Sequence, residues 1–329
     1  MEYIDIIEEL PFVPDVIRPV QVNSTSKPFI EANTTSISLT ELSTKHLIPV
    51  YATTNEPLIS HADFIYSVKD VVDGYYSQEQ ILEPNIRISH EVLGRIPDAK
   101  NKKPSELLPW EITKYNQRMM FVIEVPTITS IVDGEVLTLT IGGVRNYADD
   151  NLYGRNIGNQ KFKLFAGFKV RVCSNLSVWA DSVFPDVKVS EVGQLKHVVK
   201  ILLDKFYPNY HLHHLEKLTQ HSITEHQFAQ LIGRCRMYNH HPTELKKDIP
   251  PMLFGDTQMS AVVRDFYKDE SFCRDANGDI NLWKLYNLFT GANKSTYIDS
   301  FLDHSVNAFN FVEQVRHGME GKNECWYLQ

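Results

Sequence analysis

The feature that most constrains this chain is a change of hydrophobic period near residue 190. Within residues 119–173, apolar and polar residues alternate in the runs 121–125, 135–144 and 161–173, which is the period of a β-strand that buries one face. From residue 191 onward, apolar residues recur at intervals of three and four, as Val192, Leu195 and Val199 do, which is typical of amphipathic helices. Strands grouped before helices predict an α+β fold, with an antiparallel sheet in the N-terminal and central half and a helical C-terminal half.

The distribution of charge sets the N-terminal quarter apart. Residues 1–80 contain 12 acidic and 4 basic residues, which accounts for the formal net charge of −8 of the whole 329-residue chain. We expect these residues to form an acidic arm with one helix, from Ala62 to about Val72. A β-rich domain over residues 81–190 and a helical domain over residues 191–329 should follow. Within residues 161–200, 7 basic residues outnumber 3 acidic ones, so the acidic total does not exclude an anionic partner.

Local signals place several elements within these segments. Asp133-Gly134, between two alternating runs, is typical of a tight β-hairpin turn. Gly142-Gly143 predicts a bend or a bulge in the second strand of that hairpin. Ser105 is a suitable N-cap, with Pro109 in the first turns, so a short helix is expected from Ser105 to about Gln117. Thr224-Glu-His-Gln227 is a capping-box pattern and predicts the start of a further helix.

Composition excludes several classes of protein. Charged residues make up 22% of the chain and hydrophobic residues 43%, as in an ordinary globular protein. No apolar run approaches the ~18 residues of a membrane span, and the acidic first ten residues do not resemble a secretory signal. The four cysteines are far apart and form no CxxC pair, so reduced thiols in the cytoplasm are the simplest expectation.

The segment most informative for function is the alternating run from residue 161 to residue 173. Its even-numbered residues are apolar, whereas its odd-numbered residues include four cations and one aromatic ring without any acid. These five residues are Lys161, Lys163, Phe165, Lys169 and Arg171. In an extended strand the paired cations would repeat every ~6–7 Å, close to the phosphate spacing of an extended single strand. We therefore predict that the cations bind phosphates of single-stranded nucleic acid and that Phe165 stacks on a base; the alternative is a solvated sheet face.

Three other patterns point to chemistry without completing a motif. The run 291–296 (GANKST) lacks the glycine that a P-loop needs before its lysine, so it predicts only an anion site at a helix N-terminus, with Lys294 and Ser295. Eight of the thirteen histidines lie between His197 and His241, but no paired Cys/His motif completes a zinc site. The acidic turn 275–279 lacks the glycine and glutamate positions of a calcium-binding loop. We therefore predict no metal and no cofactor, and a metal-dependent hydrolase stays an open alternative.

Four segments carry a resemblance to known proteins. They are 167–176 (GFKVRVCSNL), 228–238 (FAQLIGRCRMY), 253–258 (LFGDTQ) and 281–295 (NLWKLYNLFTGANKS). Over about Ile86 to Phe311 the chain resembles a bacterial family of unknown function that is carried on mobile elements. The hairpin through Cys173-Ser-Asn175 resembles the wider phage/plasmid-like protein family. The order hairpin, strand, helix over residues 119–206 is similar to that of phage single-strand annealing proteins.

The resemblance brings no established activity or catalytic residue, but it implies a context. It implies a cytoplasmic protein of phage, plasmid or transposon cargo, where DNA handling and defence evasion are common roles. The first hypothesis is therefore a non-catalytic protein of a mobile element that binds single-stranded DNA through the basic strand. No GxSxG motif is present, so an enzyme is not the first expectation. The rival hypothesis is a module that binds a host defence protein through its acidic arm, as a mimic of DNA. The sequence does not fix the oligomeric state.

Overall fold

The fold is described by a computed structural model, which covers residues 28–45, 58–99, 101–150, 159–322 and 324–329. The strands are β1 (Thr35–Ile37), β2 (Asn85–Ile88), β3 (Glu91–Arg95), β4 (Ile112–Asn116), β5 (Arg118–Val132), β6 (Glu135–Asn146), β7 (Gln160–Val170), β8 (Leu176–Ser177), β9 (Val183–Val189), β10 (Ser222–Ile223) and β11 (Ile280–Asn281). The α-helices are α1 (Leu39–Lys45), α2 (His61–Tyr75), α3 (Val192–Lys205), α4 (Pro208–Thr219), α5 (Glu225–His240), α6 (Thr243–Lys246), α7 (Asp256–Lys268), α8 (Leu282–Asn293) and α9 (Phe301–Met319). Most of the acidic stretch 1–57 lies outside the described residues.

An antiparallel sheet of seven strands organises the first half of the chain. Its order is β1-β2-β5-β6-β7-β8, and β9 also pairs with β7. The β5–β6 hairpin turns at Asp133 and Gly134, whose φ angles of 51° and 80° lie in the left-handed region that this type of turn requires. The helices α3 to α9 form the second half. The predicted α+β class and the predicted hairpin turn are therefore confirmed.

Two apolar clusters cover the two faces of this sheet. On one face, Phe162 and Phe168 of β7 belong to a large cluster with residues of α2, α3, α8 and α9. On the other face, Phe165 of β7 lies in a smaller cluster with Ile298, just before α9, and Phe301, the first residue of α9. The sheet is thus a middle layer, and its second face is closed by residues more than a hundred positions later in the chain.

Capping side chains begin two of the helices at the predicted places. Ser60 accepts a hydrogen bond from the Asp63 backbone N–H at the start of α2, and Thr224 accepts one from Gln227 at the start of α5. Among the described helices, none is both long enough and apolar enough to pass through a membrane.

The expected bulge at Gly142-Gly143 is wrong, because the irregularity lies in β5 between Val125 and Thr129. The two glycines instead allow close packing. A Cβ on Gly142 would come within 2.3 Å of the Phe121 carbonyl oxygen, and one on Gly143 would come within 2.4 Å of the Phe64 ring. Neither position has room for a side chain.

The helix expected from Ser105 to Gln117 is also wrong. Pro104 and Pro109 each begin a single 3-10 turn, Pro104–Glu106 and Pro109–Glu111, and the chain then enters β4. β4 pairs with β3 in a second, two-stranded sheet. This cross-strand pairing overrides the local helix signal.

Candidate functional site

The predicted strand is present, but its cationic face is not open. Residues 160–170 form β7, so the odd-numbered side chains do share one face. Phe165, the expected stacking residue, is 0% exposed and packs in the cluster with Ile298 and Phe301. A base cannot reach this ring in the folded protein.

Two of the four cations on that face are held by carboxylates. Lys169 is buried and forms an ion pair with Glu124 of β5. Lys163 Nζ donates to the Asp299 carbonyl at 2.8 Å and lies 3.3 Å from Asp303 Oδ2, so the start of α9 neutralises it. The continuous open face expected from the sequence is therefore corrected to two separate cations: Lys161 is exposed and Arg171 is half-buried. They are ten positions apart, which corresponds to ~33 Å along an extended chain.

Lys294 and Ser295 do not lie where the expected anion site requires them. Lys294 is the C-cap of α8, and its buried ammonium donates to the Cys173 carbonyl. The Ser295 hydroxyl donates to the Ala292 carbonyl at 2.7 Å. The next helix begins only at Phe301, so neither residue lies at a helix N-terminus and the physical basis of that prediction is absent.

The structure instead reveals a ribbon that leaves the main sheet. β2 pairs with β5, and β3 pairs with β4, in one unbroken register. Ile88 faces Met119, and three residues further along each strand Glu91 faces Asn116. The Asn116 side-chain amide bridges the step between the two pairs by donating to the Ser89 carbonyl at 2.8 Å. We call residues 89–118 the β-arm.

The inner face of the β-arm is fixed to the body of the protein. The Tyr115 ring meets the Tyr147 ring edge to face, with centroids 6.4 Å apart. Tyr147 stacks on His61 at 4.2 Å, and His61 Nε2 lies 2.8 Å from the Asn116 carbonyl oxygen. The first residue of α2 therefore holds the base of the β-arm in place.

The outer face of the β-arm carries apolar and cationic side chains together. Opposite residues of a ribbon share a face, so Leu93 lies beside Lys114, and Arg95 lies beside Ile112. Leu93 is 65% exposed, and Trp110, two residues before Ile112, is 69% exposed. Within the described residues, no other large hydrophobic side chain exposes a larger fraction than Trp110. Exposed apolar side chains gathered in one place are typical of a contact surface.

A buried carboxylate holds the tip of the β-arm in shape. Glu111 accepts a hydrogen bond from the Leu108 backbone N–H at 2.9 Å and another from Lys102 Nζ at 2.5 Å. The Leu108 hydrogen bond and then that from Lys102 lower the pKa of Glu111 below its usual value of 4.5. Trp110 is therefore presented on an ordered turn.

The β-arm region is locally basic. Residues 87–118 contain 7 basic and 4 acidic residues, a local charge of +3. Lys114 forms an exposed ion pair with Glu91 at 3.0 Å, and such pairs are worth only ~0–1 kcal/mol, so a phosphate can displace the carboxylate. No carboxylate of the described residues lies within 4 Å of the Lys103 ammonium. The tip and outer face thus carry cations and an exposed indole within one short stretch of the chain.

In the histidine-rich region, His211 is buried among aromatic rings. The His211 ring lies between Trp179, at 4.3 Å, and Phe206, at 5.4 Å. Burial lowers the pKa of His211 to about 4, which keeps the ring neutral near pH 7. His214 lies 3.8 Å from Glu313 of α9. In the described part of the chain, no three His, Cys, Asp or Glu residues are grouped so that they could hold a metal ion.

Comparison with known proteins gave a family of unknown function. The model of a family described as "Domain of unknown function, B. Theta Gene description" matches residues 13–328. No curated protein and no solved structure matches the chain.

Proposed function

The chain belongs to the DUF3871 family, a domain of unknown function, and we propose that it is a non-catalytic protein that binds single-stranded nucleic acid through the β-arm. The observation that carries the proposal is Trp110, which stands exposed on a 3-10 turn, seven residues after Lys103 and four residues before Lys114. The proposal includes the context that the sequence resemblance implies, which is that of a cytoplasmic protein of a mobile element.

Single-strand binding needs two things that the β-arm supplies. Aromatic side chains stack on unpaired bases for ~1–3 kcal/mol per base, and cations follow the backbone. Trp110 is the stacking residue, while Lys103 and Lys114 contact phosphates. Leu93 pairs with Lys114 and Ile112 pairs with Arg95 on the outer face, where these apolar side chains can contact sugars and base edges. The exposed ring that was expected on β7 is thus replaced by one on the β-arm.

The decisive experiment compares Trp110→Ala with Trp110→Phe in binding to a fluorescent oligothymidine, measured by anisotropy. We expect the alanine variant to bind roughly 5- to 150-fold more weakly, which corresponds to the loss of one stacked base. Phenylalanine should retain most of the affinity because it keeps a ring. Tyr207→Ala is the matched control, since Tyr207 is 65% exposed but lies between α3 and α4. Equal affinities of the Trp110→Ala variant and the wild type would refute the proposal.

Salt dependence provides a second readout of the same binding. Each neutralised phosphate of a single strand contributes about −0.7 to the slope of log affinity against log salt concentration. The double variant Lys103→Gln, Lys114→Gln should therefore reduce the slope by about 1.4. A wild-type slope near zero would show that phosphates are not bound.

The same exposed side chains favour one other candidate, a protein-docking surface. Leu93, Leu108, Trp110 and Ile112 are all at least 39% exposed, and tryptophan often dominates protein interfaces. If the purified protein binds no nucleic acid, but retains a protein from nuclease-treated lysate in a Trp110-dependent way, this candidate replaces the first. About half of the acidic arm of the rival hypothesis, residues 1–80, lies outside the described residues, and its role as a mimic of DNA stays a prediction.

A further inference from the structure

A row of polar side chains crosses the main sheet at the base of the β-arm. Arg118 lies opposite Asn146, and Lys161 lies opposite Lys188. Val144 pairs with Lys163, so two residues further on Asn146 comes next to Lys161. Neighbouring strands are ~4.8 Å apart, so the row from Arg118 to Lys188 spans ~14 Å.

This row and the outer face of the β-arm lie on the same side of one ribbon. Alternate residues of a strand share a face, and the register of the β-arm continues unbroken into the main sheet. Lys114 and Arg118 are four residues apart, so both belong to the outer face. A single-stranded nucleic acid that leaves the outer face of the β-arm at its base therefore meets the row without crossing to the other face of the sheet.

The cations of the row differ in whether a carboxylate neutralises them. Arg118 lies 3.5 Å from Asp299, and Lys188 lies 2.5 Å from Asp186. Among the described residues, no carboxylate comes within 4 Å of the Lys161 ammonium, which is exposed.

Lys161 borders a cavity of about 150 Å³. The Asn146 side chain and three carboxylates, Asp149, Asp186 and Asp299, line the same cavity. Two of these carboxylates are engaged by the other cations of the row, Asp186 by Lys188 and Asp299 by Arg118. Burial raises the pKa of the third, Asp149, and Lys163 and Lys161 oppose that shift. The one cation without a carboxylate thus stands at an opening large enough for solvent or a phosphate oxygen.

We propose that a single strand held on the β-arm continues across this row and places one of its phosphates on Lys161. The inference rests on the proposed function, and it adds the route of the bound strand across the protein and the number of nucleotides in the site. The six residue steps from Ser89 to Arg95 span ~20 Å, and the row adds ~14 Å. An extended strand advances ~6–7 Å per nucleotide, so the site holds about five or six nucleotides.

The test measures the affinity of oligothymidines of three, six and twelve nucleotides for the wild type and for Lys161→Gln. Affinity of the wild type should rise steeply from three to six nucleotides and then level off. Lys161→Gln should weaken binding of the six-mer about 3- to 10-fold and reduce its salt slope by about 0.7, but leave the three-mer unchanged. Lys200→Gln is the matched control, because Lys200 is an exposed lysine of α3 without a carboxylate within 4 Å among the described residues.

The outcomes separate this inference from the proposed function. If Trp110→Ala weakens binding while Lys161→Gln has no effect on any length, the path across the row is refuted and the β-arm function stands. If no oligothymidine binds the wild type, both fail. Lys161 is exposed, so the variant should keep the wild-type circular dichroism spectrum, and a changed length dependence then reports on binding alone.

Discussion

At the scale of single residues, the most consequential buried group is Arg145. Its Nη2 lies 3.0 Å from Asp150 Oδ2 and 2.8 Å from Gln160 Oε1. The guanidinium also lies over the rings of Tyr147 and Phe162, 4.6 Å and 4.4 Å from their centroids. Arg145 therefore holds the ring of Tyr147, which in turn anchors the β-arm.

We expect Arg145→Ala to lower the free energy of unfolding by about 3–5 kcal/mol, because Asp150 would be left buried without its cation. The double variant Arg145→Met, Asp150→Leu should lose less, since no unpaired charge remains. Urea denaturation followed by circular dichroism measures both. Lys161→Ala serves as the exposed control and should stay within about 0.5 kcal/mol of the wild type. A loss for Arg145→Ala as small as that of the control would contradict this account of the network.

The sequence predicted which residues of β7 share a face of the sheet. It did not predict which other residues cover that face. The alternation in β7 predicted that Phe165 and Lys169 point to the same side, and they do. Phe165 is covered by Ile298 and Phe301, which no local pattern connects to residue 165. Arg145 likewise stands in an ordinary alternating run, and only the tertiary structure shows that it is buried.

At the scale of elements, the β-arm shows that pairing between distant strands can determine a structure that the local sequence does not predict. Its strands, β3 and β4, are joined by a 16-residue connection, from Ile96 to Glu111, which contains three prolines that each begin a 3-10 turn. A capping serine near a proline is typical of a helix start, so the sequence alone favoured a helix. The run 112–115 (ITKY) does not alternate between apolar and polar residues, so it gave no signal for a strand. Long periodic segments such as α2, α3 and α5 were predictable because their signals are strong.

Acid should loosen the tip of the β-arm. The pKa of Glu111 is lowered in the folded protein, so its contribution is fully present above its unfolded value near 4.5 and is lost as the pH falls below that value. Glu111→Gln should therefore exchange the amide hydrogens of residues 102–110 faster than the wild type at pH 6. The difference should vanish at low pH, where Glu111 of the wild type is protonated as well.

Hydrogen exchange with mass spectrometry at matched pH values measures this difference. Glu91→Gln is the control, because Glu91 makes only the exposed ion pair with Lys114 and should not alter exchange at the tip. Equal exchange of Glu111→Gln and the wild type at pH 6 would mean that the carboxylate does not hold the turn.

At the scale of the whole molecule, the β-rich and helical parts share their cores. The larger apolar cluster extends from Ile37 in β1 to Tyr327 near the C-terminus. Trp179, which follows β8, meets Phe168 of β7 edge to face and stacks on His211 of α4. The predicted division into residues 1–80, 81–190 and 191–329 was based on hydrophobic periodicity and charge. Neither property indicates which segments pack against each other in the folded protein.

Because the cores are shared, we expect the described parts to unfold in one transition. Far-ultraviolet circular dichroism and tryptophan fluorescence should give the same urea midpoint in a Trp110→Phe background, which removes the exposed indole of the β-arm. Phe301→Ala should shift both curves equally, because Phe301 of α9 packs on the second face of the sheet. A loss of about 3–5 kcal/mol is expected for this substitution. If only the helical signal moved, or if two midpoints appeared, the sheet and the helices would be separate folding units, and the β-arm would stand on a sheet that folds without α9.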